Sequence, residues 1–198
     1  RQMCIRDRVS LPREPFVLVT PGGGGDGETL VDWVLSALEK KPRPTKPVVI
    51  VLGPFMPQAV RQRFQLRAEA LEGVQTIVFN SNMELLMERS AGVVAMGGYN
   101  TFCEILSLDK PALLIPRSTP RMEQTLRAHR ASSLGFVSML DGDGDRSADA
   151  MARALRKLEH QPVPSVAGTD RVLSGLEVIC ARTQSLLSAQ RNRRRVIA

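Results

Sequence analysis

The sequence predicts an α/β domain built on an open, Rossmann-like parallel sheet with helices on both faces. Short apolar runs alternate with helix-periodic segments over about 140 residues, the pattern of a wound parallel sheet. One run, Val48-Val49-Ile50-Val51-Leu52, is apolar throughout, as strands covered on both faces are. Two of the strand-to-helix turns are rich in glycine, and ligands of such sheets bind beyond the C-terminal strand ends.

The first strand is Phe16-Val17-Leu18-Val19, ended by Pro21 and four glycines. A helix over 28–40 follows, with Leu30, Val31, Val34, Leu35 and Leu38 on one face and Pro42 as its stop. The second strand ends at Gly53-Pro54, and Pro57 suits the first position of a helix through Val60, Phe64 and Leu71. Strand three is Val74 to Phe79, and a short helix through Met83, Leu86 and Met87 leads to strand four, Gly92 to Met96. After Gly97-Gly98 come a helix from Asn100 to Leu108, a strand from Ala112 to Ile115, and a helix from Met122 to Ser133. A short strand at Phe136 to Met139 and a helix over 147–159, with Met151, Leu155 and Leu158 inward, close the domain.

Residues 14–160 are thus assigned to the sheet domain. Residues 161–190 read as a Pro-rich linker and an amphipathic helix over 170–189, with Val172, Leu176, Ile179 and Leu187 as its stripe. Residues 191–198 read as a solvated basic tail. Residues 1–13 read as a leader outside the fold, and RQMCIRDR at its start as non-native. On that reading the native chain begins further upstream and this sequence is a fragment.

The 198 residues, 43% hydrophobic and 24% charged, suit one domain with a sizeable core. The net charge of +7 invites a nucleic-acid reading until it is located. Residues 1–13 contribute +3 and residues 191–198 contribute +4, leaving 14–190 formally neutral. A basic groove across the fold is not supported. One Trp, one Tyr and six Phe supply few platforms for stacked bases. Cys4, Cys103 and Cys180 form no CxxC pair and no metal set with His129 and His160. Three unpaired thiols fit a reducing cytoplasm.

The first glycine loop, Gly22 to Gly27, satisfies GxGxxG, in which glycines let a backbone turn tightly and phosphates come close. Four consecutive glycines satisfy many patterns, however. Strand two also ends without an acidic residue for an adenosine ribose, which places a nicotinamide oxidoreductase last. Asp26 is unfavourable beside a diphosphate and is expected to cap the following helix.

The second loop reads GGYNTFCEIL from Gly97. Asn100 or Thr101 is expected to cap its helix, and Glu104 lies about one helical turn in. A carboxylate there can accept hydrogen bonds from two vicinal ribose hydroxyls; as a residue alone, a surface Glu favouring the helix dipole explains it as well. Glu123 and Gln124 offer donors and acceptors near the same rim, the inventory for reading sugar hydroxyls. Arg117 and Arg121 are candidates to neutralise a diphosphate. Asp141, Asp143 and Asp145 carry Arg146 and Ala152 where a calcium loop has Gly and Glu, so they read as an exposed turn rather than a metal site.

Together, GGYNTFCEIL, KPALLIPR and PRMEQTLRAHRASSLG resemble the C-terminal donor-binding domain of family-28-type, MurG-like glycosyltransferases. A group of bacterial predicted glycosyltransferases with a GGGGDG loop resembles it more closely still. The resemblance implies half of a GT-B fold that binds a nucleotide sugar, of UDP type, for a metal-independent transferase acting without a cofactor. It implies that Glu104 holds the ribose and that Gly97, Gly98, Gly24, Gly25 and Asp26 lie near the diphosphate. Glu123 and Gln124 fall at the donor sugar, and Phe79 and Asn80 at the base, where Asn80 departs from an apolar residue. The acceptor and the catalytic base belong to an N-terminal domain, so the fragment alone is expected to be inactive. A peripheral place at the inner face of a membrane and a lipid-linked acceptor are compatible with this. A nucleotide-sugar hydrolase, an epimerase and a non-catalytic sensor use the same donor half and stay open.

Overall fold

The computed structural model describes residues 11–22, 25–144, 146–169, 172 and 174–196. The strands are β1 (Phe16–Thr20), β2 (Val48–Val51), β3 (Val74–Ile77), β4 (Ser90–Ala95), β5 (Ala112–Leu114) and β6 (Ser138–Met139). They form one sheet in the order β3-β2-β1-β4-β5-β6, with every neighbouring pair parallel. The connecting helices are α1 (Glu28–Leu38), α2 (Gln58–Glu69), α3 (Met83–Arg89), α4 (Tyr99–Ser107), α5 (Glu123–Ser133) and α6 (Ala148–Leu158). This is the doubly wound α/β architecture that the alternating pattern predicts.

Two cores sit on opposite faces of the sheet, because successive strand residues point to opposite sides. Val17, Val19, Val48 and Ile50 pack with α1, α2 and α6; Phe16, Leu18, Val49 and Val51 pack with α3, α4 and α5. Every residue of β1 and β2 is buried, which explains why both read as unbroken apolar runs rather than alternating ones. Burying each large aliphatic side chain is worth about 1.5–3 kcal/mol relative to exposure, so these strands anchor the fold.

Helix α1 is apolar on more than one side because it lies between α2 and α6. Its Trp33 is buried and donates from Nε1 to the Ser147 carbonyl at the start of α6, at 2.9 Å. Toward α2, Arg67 reaches Asp32 at 2.6 Å and Glu39 at 2.7 Å. The hydrogen bond to Glu39, ahead of that to Asp32, holds the Arg67 guanidinium protonated beyond its ordinary range. Lys40 pairs with Asp149 of α6 at 2.7 Å and keeps that carboxyl below the usual carboxylate range.

Element ends depart from expectation in physically explicable ways. Pro57 stands one place before α2, as its N-cap with extended ψ, and not at the first helical position. The last helix, α7 (Gly175–Val196), starts later than expected and runs on through the arginine-rich segment; Arg is a good helix former, so the charge run need not end it. Its sequence stripe, Leu176, Ile179 and Leu187, is exposed, as is Val172 before it, so the sheet domain does not cover that face. A short 3-10 turn, Pro164–Ala167, precedes it. Of the expected leader at residues 1–13, residues 1–10 lie outside the described residues and 11–13 are described.

Candidate functional site

Strands β1 and β4 are neighbours, with Thr20 paired in register to Ala95. The chain leaves β1 toward one side of the sheet and β4 toward the other, so a crevice opens between the two strand ends. Its walls are Pro21, Gly22 and Asp26, between β1 and α1, and the loop from Met96 to α4. Gly97 has φ +77°, and a Cβ there would stand 3.2 Å from Leu114 Cδ1. Gly27 is needed for packing: its Cβ would fall 2.3 Å from that of Pro21.

Both helices that begin at this crevice have glycine at the N-cap, Gly27 for α1 and Gly98 for α4, with no side-chain capping bond. Asp26, Asn100 and Thr101 therefore do not cap, contrary to expectation. Asn100 and Thr101 belong to the first turn of α4, where chain geometry denies them the N-cap position. Asp26 instead forms an ion pair with Arg117 from the loop after β5. First-turn N–H groups without side-chain partners, and the partial positive charge of the helix ends, suit an anion.

The crevice is a cavity of about 380 Å³, lined at its mouth by Asp26, Gly98, Asn100, Thr101, Arg117 and Gln124. It shares Thr20, Gly22 and Thr101 with a second cavity of about 560 Å³. The second is largely apolar, walled by Phe55, Phe79, Met83 and Met87, with Glu104, Thr20 and Thr101 as its polar side chains. A third cavity, about 430 Å³, adjoins the first on the other side through Asp26, Met96 and Arg117. The three chambers follow one another along the C-terminal edge of the sheet.

Gln124 is 8% exposed and its Oε1 has no hydrogen-bond partner. A buried unpaired carbonyl oxygen costs stability unless something completes it, and Gln124 is one of the residues lining the crevice. Arg127, one turn later on α5, donates from Nη1 to the Gly97 carbonyl at 2.7 Å, and its guanidinium lies 5.6 Å from the Tyr99 ring centre. It fixes the glycine turn from behind.

The residues singled out in the sequence are thus distributed unevenly. Asp26, Gly97, Gly98, Asn100, Thr101 and Gln124 meet in the crevice, while Glu104 and Phe79 meet in the adjoining apolar chamber. Glu123 and Arg121 are exposed and line none of these three chambers. Asn80 accepts a hydrogen bond from Asn82 N–H at 2.8 Å, a local turn that leads into α3. Gly25 is exposed beside the crevice, its nearest contact for a Cβ being the Phe55 carbonyl at 3.8 Å. Gly24 lies outside the described residues. Sequence reasoning did not assign Phe55, Met83, Met87 and Arg127 to the site; the one available signal was an aromatic residue in the Gly53-Pro54-Phe55 turn at a C-terminal strand end.

Asp141 accepts from Asp143 N–H at 3.0 Å in a turn, and Asp145 lies outside the described residues. Among the described residues no group of three His, Cys, Asp or Glu is placed to hold a metal ion. Among them, too, no helix is long and apolar enough to cross a membrane.

Residues 16–163 match the family described as glycosyltransferase family 28 C-terminal domain. A UDP-N-acetylglucosamine–N-acetylmuramyl-(pentapeptide) pyrophosphoryl-undecaprenol N-acetylglucosamine transferase of Lachnospira eligens is 37% identical over 87 residues, covering 43% of this chain and 24% of that protein. The glycosyltransferase VinC, solved in complex with dTDP, superposes with a TM-score of 0.60 at 18% identity, over 82% of this chain and 37% of VinC. MurG of Acinetobacter baumannii superposes with a TM-score of 0.56 at 15% identity, over 83% of this chain and 50% of that one. At these identities the two structures establish the shared GT-B-type fold alone. The chain spans half or less of each relative's length.

Proposed function

The chain belongs to the glycosyltransferase family 28 C-terminal domains, and on that premise we propose that it holds the donor of a glycosyl transfer, a nucleotide sugar of UDP type. The observation that carries this is the continuity of two unlike chambers. An apolar slot with a single carboxylate, Glu104, opens into a polar crevice headed by two uncapped helix N-termini.

The chemistry divides along the same line. A flat, weakly polar base fits between Phe55 and Phe79, over Met83 and Met87. Glu104 accepts from the ribose hydroxyls next to it. The diphosphate passes Thr20 and Gly22 into the crevice, where backbone N–H groups and Arg117 meet its charge. Gln124 Oε1 gains the partner it lacks from a sugar hydroxyl.

As the glycosyl bond breaks, negative charge grows on the departing diphosphate. Fixed dipoles and Arg117 stabilise it electrostatically, so the proposed transfer is written without a metal. The acceptor and the base that deprotonates it are assigned to a second domain, as in a two-domain cleft. A cytoplasmic location, peripheral to a membrane that carries a lipid-linked acceptor, completes the proposal.

Calorimetric titration of this chain with UDP tests the donor site. Binding in the micromolar-to-millimolar range that Glu104→Gln weakens is expected. No heat of binding with millimolar UDP, under conditions where the chain is folded, would overturn the reading.

A further inference from the structure

Among the described residues that line the crevice, Arg117 is the one Lys or Arg, and Asp26 already engages it. Both side chains also line the third chamber, so the pair stands at the partition between the two. Their side chains are 39% and 38% exposed, so either head can turn without leaving a buried charge behind. Asp26 is not required by the helix, since Gly27 is the N-cap and accepts no side-chain cap. A carboxylate is therefore placed against a phosphate seat with no capping duty, its one described partner being Arg117.

We propose that Asp26 makes this seat discriminate by ligand charge, favouring a nucleotide sugar over a free nucleoside diphosphate. The inference rests on the donor-binding reading above. In a sugar diphosphate each phosphate is esterified at both ends and carries one charge. A free nucleoside diphosphate ends in a monosubstituted phosphate, whose second proton leaves near pH 6, as a phosphate monoester's does, so it carries close to one further charge at neutral pH. When Arg117 turns to the diphosphate, the Asp26 carboxylate stays beside the seat and repels the more highly charged ligand more strongly. One extra unit charge at about 7 Å, under an intermediate dielectric, corresponds to roughly a 3- to 10-fold difference in affinity. Without Asp26, Arg117 and the helix ends favour the leaving nucleotide over the incoming donor. With it, the spent nucleotide departs more readily.

The test is calorimetric titration of the chain and of its Asp26→Asn and Asp26→Ser variants with UDP and with UDP-N-acetylglucosamine. Both variants are expected to tighten UDP by about 3- to 10-fold and the nucleotide sugar by clearly less, with the gap shrinking at high salt as screening shortens the range of charge. Using two replacements separates loss of charge from a change in hydrogen bonding. An equal shift for both ligands, or weaker UDP binding in both variants, overturns the role of Asp26. If the unaltered chain binds neither ligand, the donor site itself falls and takes this proposal with it. Glu104-dependent binding with an unchanged ligand ratio removes the proposal alone.

Discussion

Arg127 of α5 donates a 2.7 Å hydrogen bond to the carbonyl of Gly97, the residue at which β4 turns into α4. The helix that follows β5 thus holds the backbone of the loop that follows β4. The turn depends on both partners, in different ways.

Gly97→Ala forces a side chain into φ +77° and against Leu114, at a cost of about 1–3 kcal/mol. Arg127→Met loses one charge-assisted hydrogen bond and the contact with Tyr99, at about 1–2 kcal/mol. Urea denaturation measures both. If Gly97→Ala proves as stable as the parent, the description of this turn is wrong.

Glu104→Gln keeps the shape of the side chain and removes its charge. It is expected to weaken UDP binding roughly 5- to 50-fold, the worth of a charge-assisted hydrogen bond. The parent chain should prefer UDP to 2′-deoxy-UDP, and the variant should lose that preference. A variant that still distinguishes the two nucleotides would release Glu104 from the ribose.

Gln124→Leu separates stability from binding. Removing a buried, unpaired Oε1 is expected to leave the melting temperature unchanged or raised, since the desolvation penalty goes with it. The same change should weaken UDP-N-acetylglucosamine more than UDP. Loss of stability without an effect on either ligand would make Gln124 a core residue only.

Trp33→Phe deletes the bond from Nε1 to the Ser147 carbonyl and is expected to cost about 1 kcal/mol or slightly more. The loss should appear in denaturant midpoints and leave nucleotide affinity intact, because neither Trp33 nor Ser147 lines any of the three chambers. An unchanged midpoint would mean that water replaces the bond without cost.

Asp149 has a folded pKa below its ordinary value of 3.8, chiefly through its hydrogen bond to Lys40. Its contribution to stability is therefore present above that ordinary value and is lost as pH falls through the lower, folded one. Asp149→Asn should flatten the fall in denaturant midpoint as pH drops through and below the ordinary carboxylate range. Both partners are well exposed, so the change is expected to be small; identical acid curves would remove the pair from the account.

The sheet was legible because burial leaves an imprint on sequence. Val48 to Leu52 is apolar on every residue since both faces of β2 are covered, and α6 shows Met151, Leu155 and Leu158 inward as its spacing required. Helix caps were not legible. Asp26, Asn100 and Thr101 all have the chemistry of a cap, and which residue takes the position depends on where each loop bends, here at glycines. Partnership between segments distant in the chain was hidden for a related reason. The pairing of Asp26 with Arg117, and of Arg127 with Gly97, joins loops and helices far apart in the chain, and local spacing carries no record of it. Glu123 and Gln124 are adjacent, yet on a helix neighbours face different ways, so one enters the crevice and the other faces solvent.

Strand β1 lies between β2 and β4 with both its faces covered. Its amide protons should be among the slowest in the chain to exchange with deuterium, opening only when the whole domain unfolds. The floor beneath the proposed donor site then opens only with the whole domain, and any adjustment on binding falls to the rims.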